Sequence, residues 1–220
     1  MTLKLYFLRH GETVHTKTGG YCGELNPELT PEGEKMAQQF AEAYRNLPWT
    51  AAYVSPMKRT MTTAQPLCDA VGLKMELRDG LKELYYGKWE DEHPETVNEK
   101  YHDDYVRWLT DPGWNAPTEG EKGIDVSRRS SSVIQEIEAQ HPTGNVLVVS
   151  HKATIRIMLC RLLGIDVGRF RDTATATLRE RISMPVGGVS IIEMGPHGPL
   201  MHCLADRSHL DPHLRSVVGG

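Results

Sequence analysis

Leu3-Lys4-Leu5-Tyr6-Phe7-Leu8 is a short apolar run that stops abruptly at Arg9-His10-Gly11, and it has the length of a buried strand. The same reading fits Ala51–Val54, which ends at Ser55-Pro56, and Asn145–Val149, which ends at Ser150-His151. Between these runs lie helical patterns. Thr30 is a plausible N-cap with Pro31 at the first helical position, opening a helix that extends to about Leu47. Further helices are predicted over about 57–71, 95–109, 125–140 and from His151 to Leu163, with strands over 74–77, 188–194 and 199–204. Strands alternating with helices predict an α/β fold: a three-layer, mostly parallel sheet with helices on both faces. Such sheets gather ligands outside the carboxyl ends of their strands. Arg9-His10, Ser55 through Arg59, and His151 all follow strand ends, so three separate segments deliver cationic or ionisable side chains to one edge.

No internal repeat or linker interrupts the 220 residues, which are expected to form a single domain. Residues 79–121 are richer in Tyr, Trp, Pro and acids, and read as a lid-like helical insertion; 205–220 read as a C-terminal tail. The chain is 39% hydrophobic and 25% charged, with a net charge of −4. There is then no global basic field to recruit nucleic acid, and an anionic ligand would need a local cluster of cations. The cysteines Cys22, Cys68, Cys160 and Cys203 are scattered and read as reduced thiols. No apolar stretch approaches the roughly 18 residues of a membrane span, and residues 3–8 are too short for a secretory signal. A cytoplasmic location without a membrane partner is expected.

Leu8-Arg9-His10-Gly11-Glu12-Thr13 strongly resembles the signature of the histidine phosphatase, or phosphoglycerate mutase-like, superfamily. The likeness continues in order through Leu29-Thr30-Pro31-Glu32-Gly33, Ser55-Pro56-Met57-Lys58-Arg59-Thr60, Glu83 with Gly87-Lys88-Trp89-Glu90, and Ser150-His151, over about residues 3–163. The resemblance implies a phosphohistidine intermediate on His10, Glu83 as proton donor, and phosphate held by Arg9, Arg59 and His151.

The residue chemistry agrees with those roles. A transferring phosphoryl group spreads negative charge over several oxygens, and arginine forks match that geometry. His151, once protonated, would add a charged donor, which a bound dianion favours. His10 must instead present an unprotonated ring nitrogen, its other nitrogen donating to a backbone carbonyl. Glu83 would give a proton to the leaving oxygen and afterwards activate water. No metal or other cofactor is expected, because the cations themselves carry the stabilisation. Glu12 reads as a support for one of the arginines.

The sequence also departs from the family pattern. Many relatives carry Trp-Asn where this chain has His15-Thr16. The expectation is that Thr16 donates its hydroxyl to phosphate in place of the Asn; the alternative is that the contact is lost. Cys22-Gly23 falls where relatives place a Ser/Thr-Gly pair, and its backbone is a candidate ligand contact at the end of the Gly19–Gly23 loop. Asn26 stands where many relatives have Asp, and Lys152 is placed at the pocket rim or at an exposed helix start. Arg128-Arg129 reads as a solvent-facing pair at a helix start.

The nearest likeness within the superfamily is to its metal-independent phosphoserine phosphatases, carried by Gly19–Leu25, Leu81–Glu90, Pro112–Gly120 and Val148–Leu163. It implies hydrolysis of L-phosphoserine, a step of serine biosynthesis. Zwitterionic serine needs ionic partners, and Arg207 and His209 of the tail, with Asp206 and Asp211, are candidates if the tail folds over the site. The partners expected are a small phosphomonoester and, as an open alternative to the monomer, a second copy in a homodimer. Competing functions are an α-ribazole or broad-specificity phosphatase, a phosphoglycerate mutase, or a phosphoprotein-binding pseudophosphatase.

Overall fold

The computed structural model describes residues 2–171 and 183–217. In chain order the elements are β1 (Leu3–Arg9), α1 (Val14–Thr18), α2 (Pro31–Tyr44), β2 (Trp49–Val54), α3 (Lys58–Val71), β3 (Met75–Leu77), α4 (Pro94–Lys100), α5 (His102–Thr110), α6 (Gly123–Gln140), β4 (Gly144–Ser150), α7 (Lys152–Leu162), β5 (Val189–Gly195), β6 (Gly198–Asp206) and α8 (Pro212–Arg215). The six strands form one sheet in the order β3-β2-β4-β1-β5-β6. β1, β2, β3 and β4 pair in parallel, whereas β5 runs antiparallel to β1 and β6 antiparallel to β5. The last pair is a hairpin, and its tight turn at Gly195–Gly198 requires the antiparallel sense.

β1 shows why both faces are covered. Leu3, Leu5 and Phe7 join Val146, Val148 and Ile192 beneath α6 and α7, while Tyr6 and Leu8 join Leu147, Val149 and Val189 beneath α2 and α3. Alternate side chains of one strand thus fill two separate cores, which is what a continuous apolar run requires.

Two glycines bring the nucleophile loop down onto α2. A Cβ on Gly11 would lie 2.4 Å from the Gly33 carbonyl oxygen, and one on Gly33 would lie 2.2 Å from the Glu12 carbonyl oxygen. Only hydrogen at both positions permits that backbone approach. Thr30 caps α2 by accepting from Gly33 N–H at 3.1 Å, and its hydroxyl donates to the Glu12 carboxylate at 2.7 Å. The partner of Glu12 is therefore a threonine and not the arginine expected from the sequence.

The 79–121 segment corrects one expectation. The single helix predicted over 95–109 breaks at Tyr101 (φ −134°, ψ 41°) into α4 and α5. An unbroken helix would hold Val97 and Trp108 about 16 Å apart. The break brings both into one buried cluster with Trp89, ringed by Tyr21, Tyr86 and Tyr105.

The tail corrects another. Leu210 and Leu214 pack with Val186 against Met36 of α2, and Asp211 N–H donates to Gln39 at 2.8 Å. His209 lies edge-on to Phe40 and Tyr44, and Arg207 donates to the Val217 carbonyl at 2.7 Å. Apolar anchoring to α2 carries both residues away from the predicted site.

Candidate active site

The three strand ends are joined by the backbone itself. His10 N–H donates to Ser150 O at 3.1 Å and Ser55 N–H to Val149 O at 3.0 Å, extending the parallel ladder one step past β1 and β2. The side chains that follow open into a cavity of about 350 Å³ lined by Arg9, His10, Thr16, Cys22, Gly23, Arg59, Glu83 and Lys152, among others. Of the candidates read from the sequence, His151 packs directly behind the wall, its ring centroid 5.2 Å from that of His10. Arg207 and His209 are absent from the lining.

His10 is buried, and its Nδ1 lies 2.8 Å from Gly11 O, a contact that requires the proton on Nδ1. Nε2 then keeps its lone pair. Burial, reinforced by the positive charges of Arg59 and Arg9, holds the ring well below the ordinary histidine range, so it stays neutral. Arg9 donates to the Met184 carbonyl, and burial pushes its guanidinium down to about 10, which leaves it charged at neutral pH. Arg59 is held on three sides: Nη1 donates to Leu25 O at 2.6 Å, Nη2 to Gly23 O at 2.9 Å and Nε to His151 Nδ1 at 3.2 Å.

That last bond fixes the state of His151. Its Nδ1 accepts, so Nε2 carries the hydrogen and donates to Ser55 Oγ at 2.8 Å. Burial and the neighbouring Arg59 hold it well below the ordinary range. The charged donor expected from the sequence is a neutral bridge between Ser55 and Arg59.

Glu83 is buried at the opening of α7. Oε1 accepts from Leu84 N–H at 2.9 Å and from Thr154 N–H and Oγ1 at 3.2 Å, while Oε2 accepts only Ala153 N–H, at 3.2 Å, among the described residues. Oε2 is therefore the oxygen with capacity to exchange a proton. Arg129 anchors the backbone that carries it, donating to the Gly80, Lys82 and Glu83 carbonyls at 2.9, 2.8 and 3.1 Å, with both oxygens of Glu121 completing its fork. The sequence offered Arg128 and Arg129 as an exposed pair. Only Arg128 is exposed, paired with Asp125 at 2.9 Å.

Thr16 lines the cavity, but its hydroxyl donates to Thr13 O and accepts from Thr13 N–H, both at 2.9 Å, within the cap of α1. Its donor is already engaged, contrary to the expected phosphate contact. Cys22 is held by burial above the ordinary thiol range and donates weakly to Leu25 O. Gly23 (φ +47°) has a steric reason to be glycine, since a Cβ there would meet Glu90 Oε1 at 1.9 Å. Asn26 Oδ1 accepts Lys58 N–H at 2.8 Å and so caps α3 from outside, a task Asp would also perform.

Arg156, Arg171 and the rings of Tyr21, Tyr86, Trp108 and Phe170 also line the cavity, and the sequence reading passed over them. Arg156 had a signal: it is a lone cation in the middle of the apolar helix Lys152–Leu162, four residues after Lys152. The aromatics had none, because they converge from four separate segments.

A neutral imidazole with one bare nitrogen, set among buried arginines, agrees with the family comparison. The model for the histidine phosphatase superfamily (branch 1) matches residues 5–206. The chain belongs to that superfamily. It is a phosphatase of the histidine phosphatase family. Phosphoserine phosphatase 1 of Hydrogenobacter thermophilus is 34% identical over 168 residues, covering 76% of this chain and 80% of that protein. The adenosylcobalamin/alpha-ribazole phosphatase of Salmonella typhimurium is 29% identical over 161 residues, 73% of this chain and 80% of the other. The solved structure of Bacillus stearothermophilus YhfR superimposes with a TM-score of 0.84 at 22% identity, over 95% of this chain and all of that one. That likeness concerns the fold.

Two buried histidines and the half-buried His209 give this histidine phosphatase a pH-dependent stability. His10 and His151 are depressed as described, and burial pushes His209 down to about 4. Below pH 6.5 the unfolded chain takes up protons that the folded chain refuses. Stability is thus complete above about pH 7 and lost as pH falls toward the folded values, by up to about 1.4 kcal/mol per pH unit for each histidine. Thermal melts from pH 7.5 to 5 should show a steep fall in Tm, flattened by His209→Leu. A Tm that stays level across that interval refutes the neutral, buried state of these rings.

Proposed function

We propose that the chain hydrolyses small phosphomonoesters in two steps through phosphorylated His10, with L-phosphoserine as its substrate. The observation that carries this reading is the hydrogen bond from His10 Nδ1 to Gly11 O, which leaves Nε2 as a nucleophile beside Arg9 and Arg59. In the first step the Nε2 lone pair forms a bond to phosphorus, the ester P–O bond breaks, and the leaving oxygen takes a proton from Glu83. In the second step Glu83 accepts a proton from water as that water attacks phosphorus. The N–P bond breaks, the electron pair returns to Nε2, and inorganic phosphate leaves.

His151 has a conditional part in this scheme. Its neutral state belongs to a pocket filled with positive charge. An arriving dianion reverses the local potential and favours a proton on Nδ1, which releases Arg59 Nε toward the phosphate oxygens. The cations Arg9 and Arg59 supply the electrostatic stabilisation a phosphoryl transition state needs.

Phosphoserine is supported by the 34% identical relative, which bears that activity in its name. A second reading, an α-ribazole phosphatase, is favoured by the partly exposed rings of Tyr21 and Tyr86 in the cavity wall, which offer apolar surface to a planar base. A kinetic screen decides between them. We expect kcat/KM for phosphoserine to exceed that for α-ribazole phosphate by at least about tenfold, a difference of roughly 1.4 kcal/mol. The reverse order transfers the assignment to the ribazole ester. A cytoplasmic site of action accords with the four free cysteines and with the absence, among the described residues, of any helix long and apolar enough to cross a membrane.

A further inference from the structure

The turn that carries Glu83 is held by its main chain. Each carbonyl from Gly80 to Glu83 accepts from a side chain of another element. Arg129 of α6 donates to Gly80 O at 2.9 Å, Lys82 O at 2.8 Å and Glu83 O at 3.1 Å. Ser150, the last residue of β4, donates to Leu81 O at 2.7 Å, and the hydroxyl of Thr154 on α7 also reaches Lys82 O at 2.7 Å. The remaining N–H groups of Arg129 donate to Glu121, Nε to Oε1 at 2.8 Å and Nη2 to Oε2 at 2.9 Å, so every donor of the guanidinium is engaged. The turn lies close enough to α6 to require glycine at position 80. A Cβ there would stand 2.6 Å from the Arg129 carbonyl oxygen and 2.7 Å from a methyl of Val133.

The consequence for the carboxylate runs through one peptide unit. The Glu83–Leu84 peptide is planar, so its C=O and N–H turn together. Its oxygen accepts from Arg129, and its N–H donates to Glu83 Oε1 at 2.9 Å. Arg129 therefore holds one end of a rigid plate whose other end aims the carboxylate. Once that end is released the plate rotates, its N–H leaves Oε1, and Oε2 swings away from the leaving oxygen. Glu121 fixes the opposite side of the guanidinium and is tied to the same loop, its own N–H donating to Tyr85 O at 2.8 Å. Neither Arg129 nor Glu121 lines the cavity, so neither touches the substrate.

We propose that Arg129, oriented by Glu121, is the positioning residue for Glu83 and contributes only to the steps in which Glu83 moves a proton. The inference rests on the assignment of Glu83 as acid and base in phosphomonoester hydrolysis. Glu83 gives its proton to the ester oxygen as the P–O bond breaks, and takes one back from the water that attacks phosphohistidine. An ill-aimed carboxylate slows both transfers and leaves the attack of His10 on phosphorus untouched. Misplacing a reacting group by about 1 Å costs on the order of 10²-fold.

The full chain is assayed on phosphoserine, whose leaving oxygen needs the proton, and on p-nitrophenyl phosphate, whose leaving group does not. Arg129→Met should lose about 30- to 100-fold in kcat on phosphoserine, yet release p-nitrophenol in a burst within about threefold of the parent rate. The burst also reports that the variant is folded. Glu121→Gln is the milder second variant, expected to lose about tenfold on phosphoserine with its burst intact, and it decides the matter if Arg129→Met gives no burst. Arg129→Lys keeps the charge without the fork and should recover only part of the loss. Full recovery overturns the positioning role, because a positive charge alone would then suffice. In a Glu83→Gln background, Arg129→Met should cost less than about threefold more on phosphoserine, since no carboxylate is left to aim. A full additional loss there overturns the proposal, as does a burst slowed as much as phosphoserine turnover in both Arg129→Met and Glu121→Gln. If Glu83→Gln itself spares phosphoserine, the acid–base assignment has failed. If Glu83→Gln is selective for phosphoserine and the Arg129 and Glu121 variants are not, only the positioning role has.

Discussion

His10→Ala should reduce turnover of every phosphomonoester by roughly 10⁴-fold or more, because the variant loses the atom that accepts phosphorus and with it the two-step route. The substitution removes an imidazole whose Nδ1 is bonded to Gly11 O and whose ring touches no charged hydrogen-bond partner, so folding should survive. The direct check is rapid quenching of the enzyme with ³²P-labelled substrate. The unaltered chain should retain acid-labile, base-stable label characteristic of a phosphoramidate, and His10→Ala should retain none. Label persisting in the variant, or turnover within tenfold of the parent, would remove His10 from the centre of the mechanism. Because the ring is held neutral well below the usual histidine range in the free enzyme, the acid limb of kcat/KM should show no fall at pH 6.5 from this group, where an ordinary histidine becomes protonated.

Glu83→Gln should separate the two half-reactions. Its carboxylate is placed to protonate the leaving oxygen and then to activate water, a contribution of about 10²- to 10⁴-fold for general acid–base catalysis. Serine would leave phosphoserine as a poor alkoxide and needs the proton, so the variant should lose that full factor on it. The p-nitrophenolate ion leaves without help. The variant should therefore release close to one equivalent of p-nitrophenol in a burst, followed by slow turnover limited by hydrolysis of phosphohistidine. The glutamine carbonyl oxygen can still accept from Leu84 and Thr154 N–H, while the amide that replaces Oε2 gives up only the bond from Ala153 N–H, so the loop keeps two of its three backbone anchors. Equal loss on both substrates without a burst would show that Glu83 only shapes the cavity.

Much of this site could be read without coordinates, and the reason is local. Arg9 ends β1 and His10 directly follows it, and His151 directly follows β4. Parallel strands in one sheet end at one edge, so naming the strands located the residues. The bond from His10 Nδ1 to a backbone carbonyl was also foreseeable, since the acceptor is the next residue. Arg59 is the second residue of α3 and needed only the same edge.

Where the reading failed, a distant partner decided in every case but Thr16, whose partner Thr13 lies three residues away. Thr16 gave up its hydroxyl to a cap that forms only because the chain turns into α1. Arg207 and His209 were carried off by leucines that found Met36 on another helix. Arg129 looked exposed on a helix start, yet three carbonyls of the 80–83 turn face it from 46 to 49 residues away. The state of His151 depended on which of its nitrogens Arg59 reached.

The amino-acid sequence alone determined the alternation of strands and helices, and hence the sheet, its shared edge and the identity of the nucleophile. These follow from apolar periodicity and from neighbours one or two residues away. Only the tertiary structure decided the protonation state of His151, the clamp on Glu83 and the fate of the tail. Each of those depends on burial and on contacts between segments far apart in the chain, whose strength is set by distance and dielectric and leaves no trace in local residue order.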